Sequence, residues 1–339
     1  MSSNIVNFSY ENAKKNTREN KVDEVLNGLG KGEVGFLVGP PGLGKSFVSL
    51  SIGYEVVTST PFIGLLPVES KPKKVLYVPY EDKLHNLNSR MVTHESNLSD
   101  YDKSLVEANF ACYNDFSPLL NKFTTNDRDM RSDSVNSLIE AAKDYDLLIL
   151  DTARGALGGF SEVEGDILFK LITNEIATKA NVAVLVNHHT TKTQTANYNE
   201  VNSTGGSGLS TCQSESKFIL FLRTFKINRK ESLGLVHIKA NYINPDHLAT
   251  DDNPFFLDRI DNLLVNKAVF SEKRHTKPSK SSKQTKKNIQ RKVLVEKLQS
   301  DLDDIELDEE LMKNVMESES KKSDHASQDP FDTMFMGEK

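Results

Sequence analysis

The 339-residue chain is 37% hydrophobic and 27% charged, with a formal net charge of −6, the composition of an ordinary water-soluble protein able to bury a core over part of its length. The acidic balance speaks against a uniformly basic nucleic-acid-binding surface. No apolar run is long enough to span a bilayer and no secretory leader is visible, while the two cysteines, Cys112 and Cys212, fit no metal-ligand spacing, so both are read as reduced thiols of a cytoplasmic protein.

Residues 1–30 read as an N-terminal arm leading into the core, with one apolar-periodic piece at Val22-Asp23-Glu24-Val25-Leu26. Either the arm packs on a neighbouring subunit or it is a mobile extension. From Lys31 to about Phe270, short apolar runs alternate with helical patterns, which predicts an α/β domain with a mostly parallel, helix-covered sheet. The expected strands are Glu33–Val38, Lys74–Pro79, Ala108–Tyr113, Leu147–Asp151, Val182–Asn187, Lys217–Arg223, Leu235–Tyr242 and roughly Phe255–Arg259. The last three follow one another without helices and should form an antiparallel C-terminal extension. Polar stretches at Ser117–Arg131, Gly155–Gly165 and Thr190–Ser210 are expected loops, the third long enough to be functional or disordered.

Between the first strand and a helical pattern over Ser46–Val57 lies Gly39-Pro40-Pro41-Gly42-Leu43-Gly44-Lys45-Ser46, followed by Phe47. GxxxxGKS in a strand–turn–helix context is the phosphate-cradling P-loop. Its glycines let successive backbone N–H groups face phosphate oxygens beside the positive end of the helix. Lys45 should reach the outer phosphates of ATP, and Ser46 should help hold Mg²⁺.

Three later strands end in polar residues that such a site needs. Leu147–Leu150 runs into Asp151, where a Walker B carboxylate organises the metal. Val75–Tyr80 runs into Glu81 and Asp82; Glu81 is the expected catalytic base, since hydrolysis needs a carboxylate within reach of the attacking water, and Asp82 the cap of the next helix. Val182–Asn187 runs into His188-His189, tandem imidazoles able to report a γ-phosphate by a hydrogen bond. His188 is the preferred sensor.

Taken together, GPPGLGKS, VLYVPYED, LLILDTARG and VLVNHHTTK, in this order and spacing, resemble the RecA-like hexameric ATPases of the RepA type, the plasmid replicative DNA helicases. The likeness covers about Lys31 to Leu222. It implies a ring-shaped homohexamer, with ATP at subunit interfaces, that translocates along single-stranded DNA in a bacterial cell, encoded by a plasmid, a phage or a chromosome. Loops after Asp151 and His189 would line the DNA channel, although Gly155–Gly165 holds Glu162 and Glu164 and no cation, so that either backbone amides with Thr and Asn side chains or Arg154 and Lys192, repeated in each subunit, would meet the phosphates. The family's arginine finger should follow the Gly205-Gly206-Ser207-Gly208-Leu209 patch; Glu215 falls near that place, and Arg223 is the preferred substitute. Two other functions stay open: a RecA-like recombinase or single-strand annealing ATPase, and an adaptor ATPase that only switches state.

After Phe270 the composition changes. Residues 271–295 read as a basic linker, with no acidic residue from Lys273 to Lys292, and a short helix-like piece at Val293–Leu298 leads into an acidic tail over 296–339. In one reading the basic run is a nucleic-acid contact and the acidic end either competes with it or, through Pro330-Phe331 and Met334-Phe335, recruits a replication protein; in the other the tail is solvated and disordered.

Overall fold

The computed structural model describes residues 9–19, 23–121, 132–190, 210–227, 229–261, 263–266 and 268–270. A nine-stranded sheet organises them. Its order across the sheet is β11-β10-β9-β8-β3-β7-β6-β4-β5, with β3 Val34–Gly39, β4 Val75–Pro79, β5 Phe110–Cys112, β6 Leu147–Asp151, β7 Ala183–His189, β8 Phe218–Ile227, β9 Lys230–Ala240, β10 Phe255–Ile260 and β11 Leu263–Asn266. Strands β3 to β8 pair in parallel; β8–β9, β9–β10 and β10–β11 are antiparallel. The expected antiparallel extension is therefore present, but its first member, β8, joins the sheet in parallel with β3.

Helices cover both faces because the central strands are apolar on both. Alternate residues divide between two cores. Leu37, Tyr77, Ile149, Leu185 and Leu220 pack with α2 (Lys45–Thr58), in a core that also takes Leu87 of α3 (Leu84–His94) and Val106 of α4 (Asp100–Asn109). Phe36, Val78, Leu150, Val186 and Ile219 pack with α5 (Ser134–Ala142) and α7 (Glu162–Ala180). This period of two fixes which side of the sheet each edge residue serves.

Several boundaries differ from the sequence expectation. Glu24–Leu26 (β1) and Leu29–Gly30 (β2) form a hairpin, and Val25, Leu26 and Leu29 are fully buried in the α2-side core, so the end of the segment read as an arm belongs to the domain. Before it lies α1, Tyr10–Glu19. Ala108 and Asn109 are the last residues of α4, not strand. The expected loop Gly155–Gly165 is mostly helical: α6 spans Ala153–Ala156 and α7 starts at Glu162. Ser161 and Glu164 form a capping box, each side chain bonding the other's backbone, which satisfies two donors that a helix start leaves open. A short helix, α8 (Ser210–Glu215), precedes β8.

All described residues fall within the unit Met1–His275. The basic linker, the helix-like Val293–Leu298, the acidic tail, Lys192, the Gly205–Leu209 patch and residues 122–131 lie outside the described residues. Among the described residues no helix is long and apolar enough to cross a membrane.

Candidate functional site

The P-loop, Glu81, Asp151 and the tandem histidines all stand at the C-terminal edge of the parallel strands. Register makes this quantitative: Gly39 pairs with His189 and Pro79 with Asp151. Gly44 ends the loop with φ 101°, and a Cβ there would come within 2.9 Å of Leu264 Cδ1. Only glycine suits both the left-handed backbone and the space. At Gly39 a Cβ would meet the Leu222 carbonyl oxygen at 2.7 Å, so β3 and β8 can approach closely.

Lys45 is 5% exposed. Its Nζ donates to Gly39 O at 2.9 Å and Pro40 O at 3.0 Å, and meets His189 Nδ1 at 2.9 Å. An ammonium has no acceptor, so Nδ1 must accept and the ring proton sits on Nε2. That nitrogen faces Glu81 Oε1 at 3.6 Å. Burial draws the Lys45 pKa down to about 8, with Asp151 and Glu81 opposing.

Glu81 is exposed, yet firmly held. Thr152 Oγ1 donates to its Oε1 at 2.6 Å, and its own N–H donates to Asp151 O at 3.3 Å. The His189 imidazole beside it, and then the Thr152 hydroxyl, hold its carboxyl down at about 2 against the effect of burial. Asp151, 3% exposed, takes one donor on each oxygen, from Asn187 Nδ2 at 2.7 Å and Tyr77 Oη at 2.5 Å. Each carboxylate oxygen accepts two or more hydrogen bonds, so capacity remains on both. Mg²⁺ binds through one or two carboxylates, waters and substrate phosphates rather than a protein cage. An oxygen set of Asp151 and the partly exposed Ser46 hydroxyl fits that chemistry, and no cluster of three or more His, Cys, Asp or Glu suited to a metal occurs among the described residues.

The two histidines divide across the sheet. His189 lies on the α2 side with Lys45 and Glu81. His188, expected as the sensor, lies on the α7 side, 1% exposed, with Nδ1 3.1 Å from Gln213 Nε2 and Nε2 3.6 Å from Glu162 Oε1. Burial lowers its pKa to about 3. The strand's alternation, applied from Leu185 in the α2-side core, was the signal that separates them.

Arg223 is not brought into the Lys45–Asp151 group. Its Nη2 donates to Asp251 Oδ1 at 2.5 Å and its guanidinium lies 4.4 Å over the Phe225 ring. Glu215 is tied to Lys170 by an ion pair. Asp82 does not cap α3, whose N-cap is Lys83; it pairs with Arg90 at 2.6 Å. Arg90 and Arg259 lie 5.0 and 4.6 Å over the ring of Phe47, just after the P-loop serine. Thr152, Asn187, Tyr77 and Ser49 were not singled out from sequence, because each is an ordinary polar residue in an apolar run until the fold sets them around Asp151.

A sequence profile described as an AAA domain matches residues 6–195. No curated protein sequence matches the chain. Among solved structures, the ATPase domain of G40P superposes with a TM-score of 0.53 at 11% identity, covering 77% of this chain and 99% of that one. A KaiC-like protein from the hyperthermophilic archaeon Pyrococcus horikoshii OT3 gives 0.46 at 13% identity, covering 72% of this chain and 93% of its own.

Proposed function

From the premise that the chain belongs to the AAA domain family and carries a RecA-like ATPase core, we propose that it is an ATP-driven DNA helicase of the RepA-like hexameric type, acting in replication in the bacterial cytoplasm. One observation carries the reading: Lys45, His189 and Glu81 are linked side chain to side chain beside Asp151, at the edge where the P-loop opens.

In this reading Gly39–Phe47 cradles the phosphates of ATP and Lys45 leaves its carbonyl partners for phosphate oxygens. Mg²⁺, when bound by Ser46 and Asp151, supplies charge neutralisation at the phosphates. Glu81, ionised at any physiological pH, orients the attacking water by accepting its hydrogen bond. His189 takes the sensor role expected of His188, because it already touches both the phosphate-binding lysine and the base. A neighbouring subunit completes the site with an arginine; Arg223 remains our candidate, and its pair with Asp251 must then open. Residues 1–23, the basic linker and the acidic tail serve assembly, DNA contact and recruitment of a replication protein.

Unwinding of forked DNA bearing a single-stranded tail of either polarity tests this. Strand separation should require ATP and one tail polarity, and Lys45→Ala should abolish it. Glu81→Gln should bind ATP and fail to turn it over; equal turnover in that variant and the parent would remove Glu81 from the chemistry. Turnover stimulated by DNA without unwinding would favour a filament-forming recombinase or annealing ATPase. Turnover indifferent to DNA would favour an adaptor ATPase acting through its tail.

A further inference from the structure

A chain of buried hydrogen bonds reaches Asp151 across three adjacent strands and helix α2. Tyr77 Oη donates to Asp151 Oδ2 at 2.5 Å, Asn187 Nδ2 donates to Asp151 Oδ1 at 2.7 Å, and Ser49 Oγ donates to Asn187 Oδ1 at 2.7 Å. All four residues are 3% exposed or less. Strands β7, β6 and β4 are neighbours in that order. Tyr77 pairs with Ile149, two residues short of Asp151 on the same face, so its phenol runs along the sheet to the carboxylate. Asn187 stands beside Asp151, since Leu150 pairs with Val186. Ser49 is four residues beyond Lys45 in α2, on the same helix face.

The chemistry of this chain is directional. Ser49 donating to Oδ1 turns the Asn187 amide so that its NH₂ faces Asp151. Each oxygen of the carboxylate then accepts one hydrogen bond, Oδ1 from Asn187 and Oδ2 from Tyr77, which together favour one rotamer of the side chain. Two donors from opposite sides also prevent rotation of the carboxylate plane. Tyr77 and Asn187 each stand two residues before the end of their strands and Ser49 is buried within α2, so the hydrogen bonds of these three side chains lead to Asp151.

We propose that Tyr77, Asn187 and Ser49 are positioning residues that aim the Asp151 carboxylate at the divalent cation of the nucleotide site, setting cation affinity from within the core. This rests on the reading of Asp151 as the metal-side acid. Outer-shell partners of metal-binding groups commonly control affinity by about 10–100-fold.

The test is Mn²⁺ binding, followed by loss of the free-ion electron paramagnetic resonance signal, to the full chain saturated with ADP. ADP binding in a chelator is measured in parallel to confirm an intact pocket. Asp151→Asn should lose the site. Tyr77→Phe, which keeps the ring, and Asn187→Leu should each weaken Mn²⁺ about tenfold or more, with ADP binding in chelator unchanged. Ser49→Ala should cost less, and Ser49→Ala combined with Asn187→Leu should be no worse than Asn187→Leu alone, because Ser49 acts only through Asn187. If Asn187→Leu fails to fold, Tyr77→Phe and Ser49→Ala decide. Parental Mn²⁺ affinity in Tyr77→Phe and Ser49→Ala, with loss in Asp151→Asn, would overturn the clamp and leave the role of Asp151 standing. Parental affinity in Asp151→Asn would overturn both.

Discussion

At the scale of single residues, Lys45 shows how burial and function pull on one group. Its donors are engaged by Gly39 O, Pro40 O and His189 Nδ1, yet neutral acceptors do not offset the lost hydration, and its pKa falls to about 8. A phosphate beside the ammonium raises that pKa again, so nucleotide binding is linked to holding the proton. Affinity should therefore be flat below about 8 and fall as pH rises above it, by up to about tenfold per pH unit. A fluorescent ADP titrated at about pH 7 and about pH 9 should bind about tenfold more weakly at the higher value, and Lys45→Ala should bind weakly at both. A parental protein with equal affinity at the two would mean that Lys45 titrates elsewhere. The gathering of Lys45, Glu81 and Asp151 at one edge of the sheet was legible in sequence because each ends an apolar strand or a P-loop. Which of His188 and His189 shares a face with Lys45 was legible as well, since a one-residue step along a strand moves a side chain to the other face. The preference for His188 passed over that alternation. What sequence could not give is the company of Asp151: Tyr77, Asn187 and Ser49 lie on three separate elements, and only pairing order and register bring them together.

Among the elements, helix α2 carries a second polar device away from the P-loop. Glu55, fully buried between Tyr54 and Val56, accepts hydrogen bonds from the backbone N–H groups of Phe62, Ile63, Gly64, Leu65 and Leu66. A carboxylate can serve that many donors because both its oxygens are acceptors only. The strap over residues 62–66 is in turn bonded to the hairpin and to β11, through Asn27 N to Leu65 O at 2.7 Å and Asn266 N to Phe62 O at 2.8 Å. Glu55→Gln replaces one acceptor with an NH₂ that faces N–H groups, so it should cost about 3 kcal/mol, seen as a lower urea midpoint; an unchanged midpoint would show the strap held by its other contacts. Sequence gave a hint, an acidic residue inside a buried helical run, without a partner to explain it. The helix at Glu162 was more legible than the loop expectation allowed: Ser161-Glu162-Val163-Glu164 is the S-x-x-E pattern that starts helices. Strand β11 was less so. Four residues after a turn at Asp261 carry too little periodicity to separate from a loop.

On the scale of the whole molecule, three histidines sit in different parts of the fold and respond to acid together. His94 of α3 is fully buried and bonded at 2.7 Å to the Tyr54 hydroxyl on α2; His188 of β7 packs against α7 and α8; His237 of β9 lies edge-on to Phe218 and Phe255. Burial lowers their pKa values to about 4, about 3 and about 4. In the unfolded chain each returns to about 6.5. Between those limits these three histidines hold three more protons in the unfolded state than in the folded one, so they make stability rise with pH and fall on acidification through that window, while the buried Glu55 carboxyl, pushed up by burial, acts in the opposite sense. Where all three differ fully, around pH 5, the histidine contribution to the slope should be about 4 kcal/mol per pH unit. Below about pH 4.5, Glu81, with its pKa held at about 2, adds loss of the same sign. Urea unfolding at a series of pH values should show the midpoint dropping steeply from about pH 6 to about pH 4.5. His188→Gln, which keeps a polar group for Gln213 and cannot take up a proton, should remove about a third of that slope. A slope unaltered by this change would mean that His188 is charged in the folded protein, through Glu162 3.6 Å away, and that the proton uptake belongs to other groups.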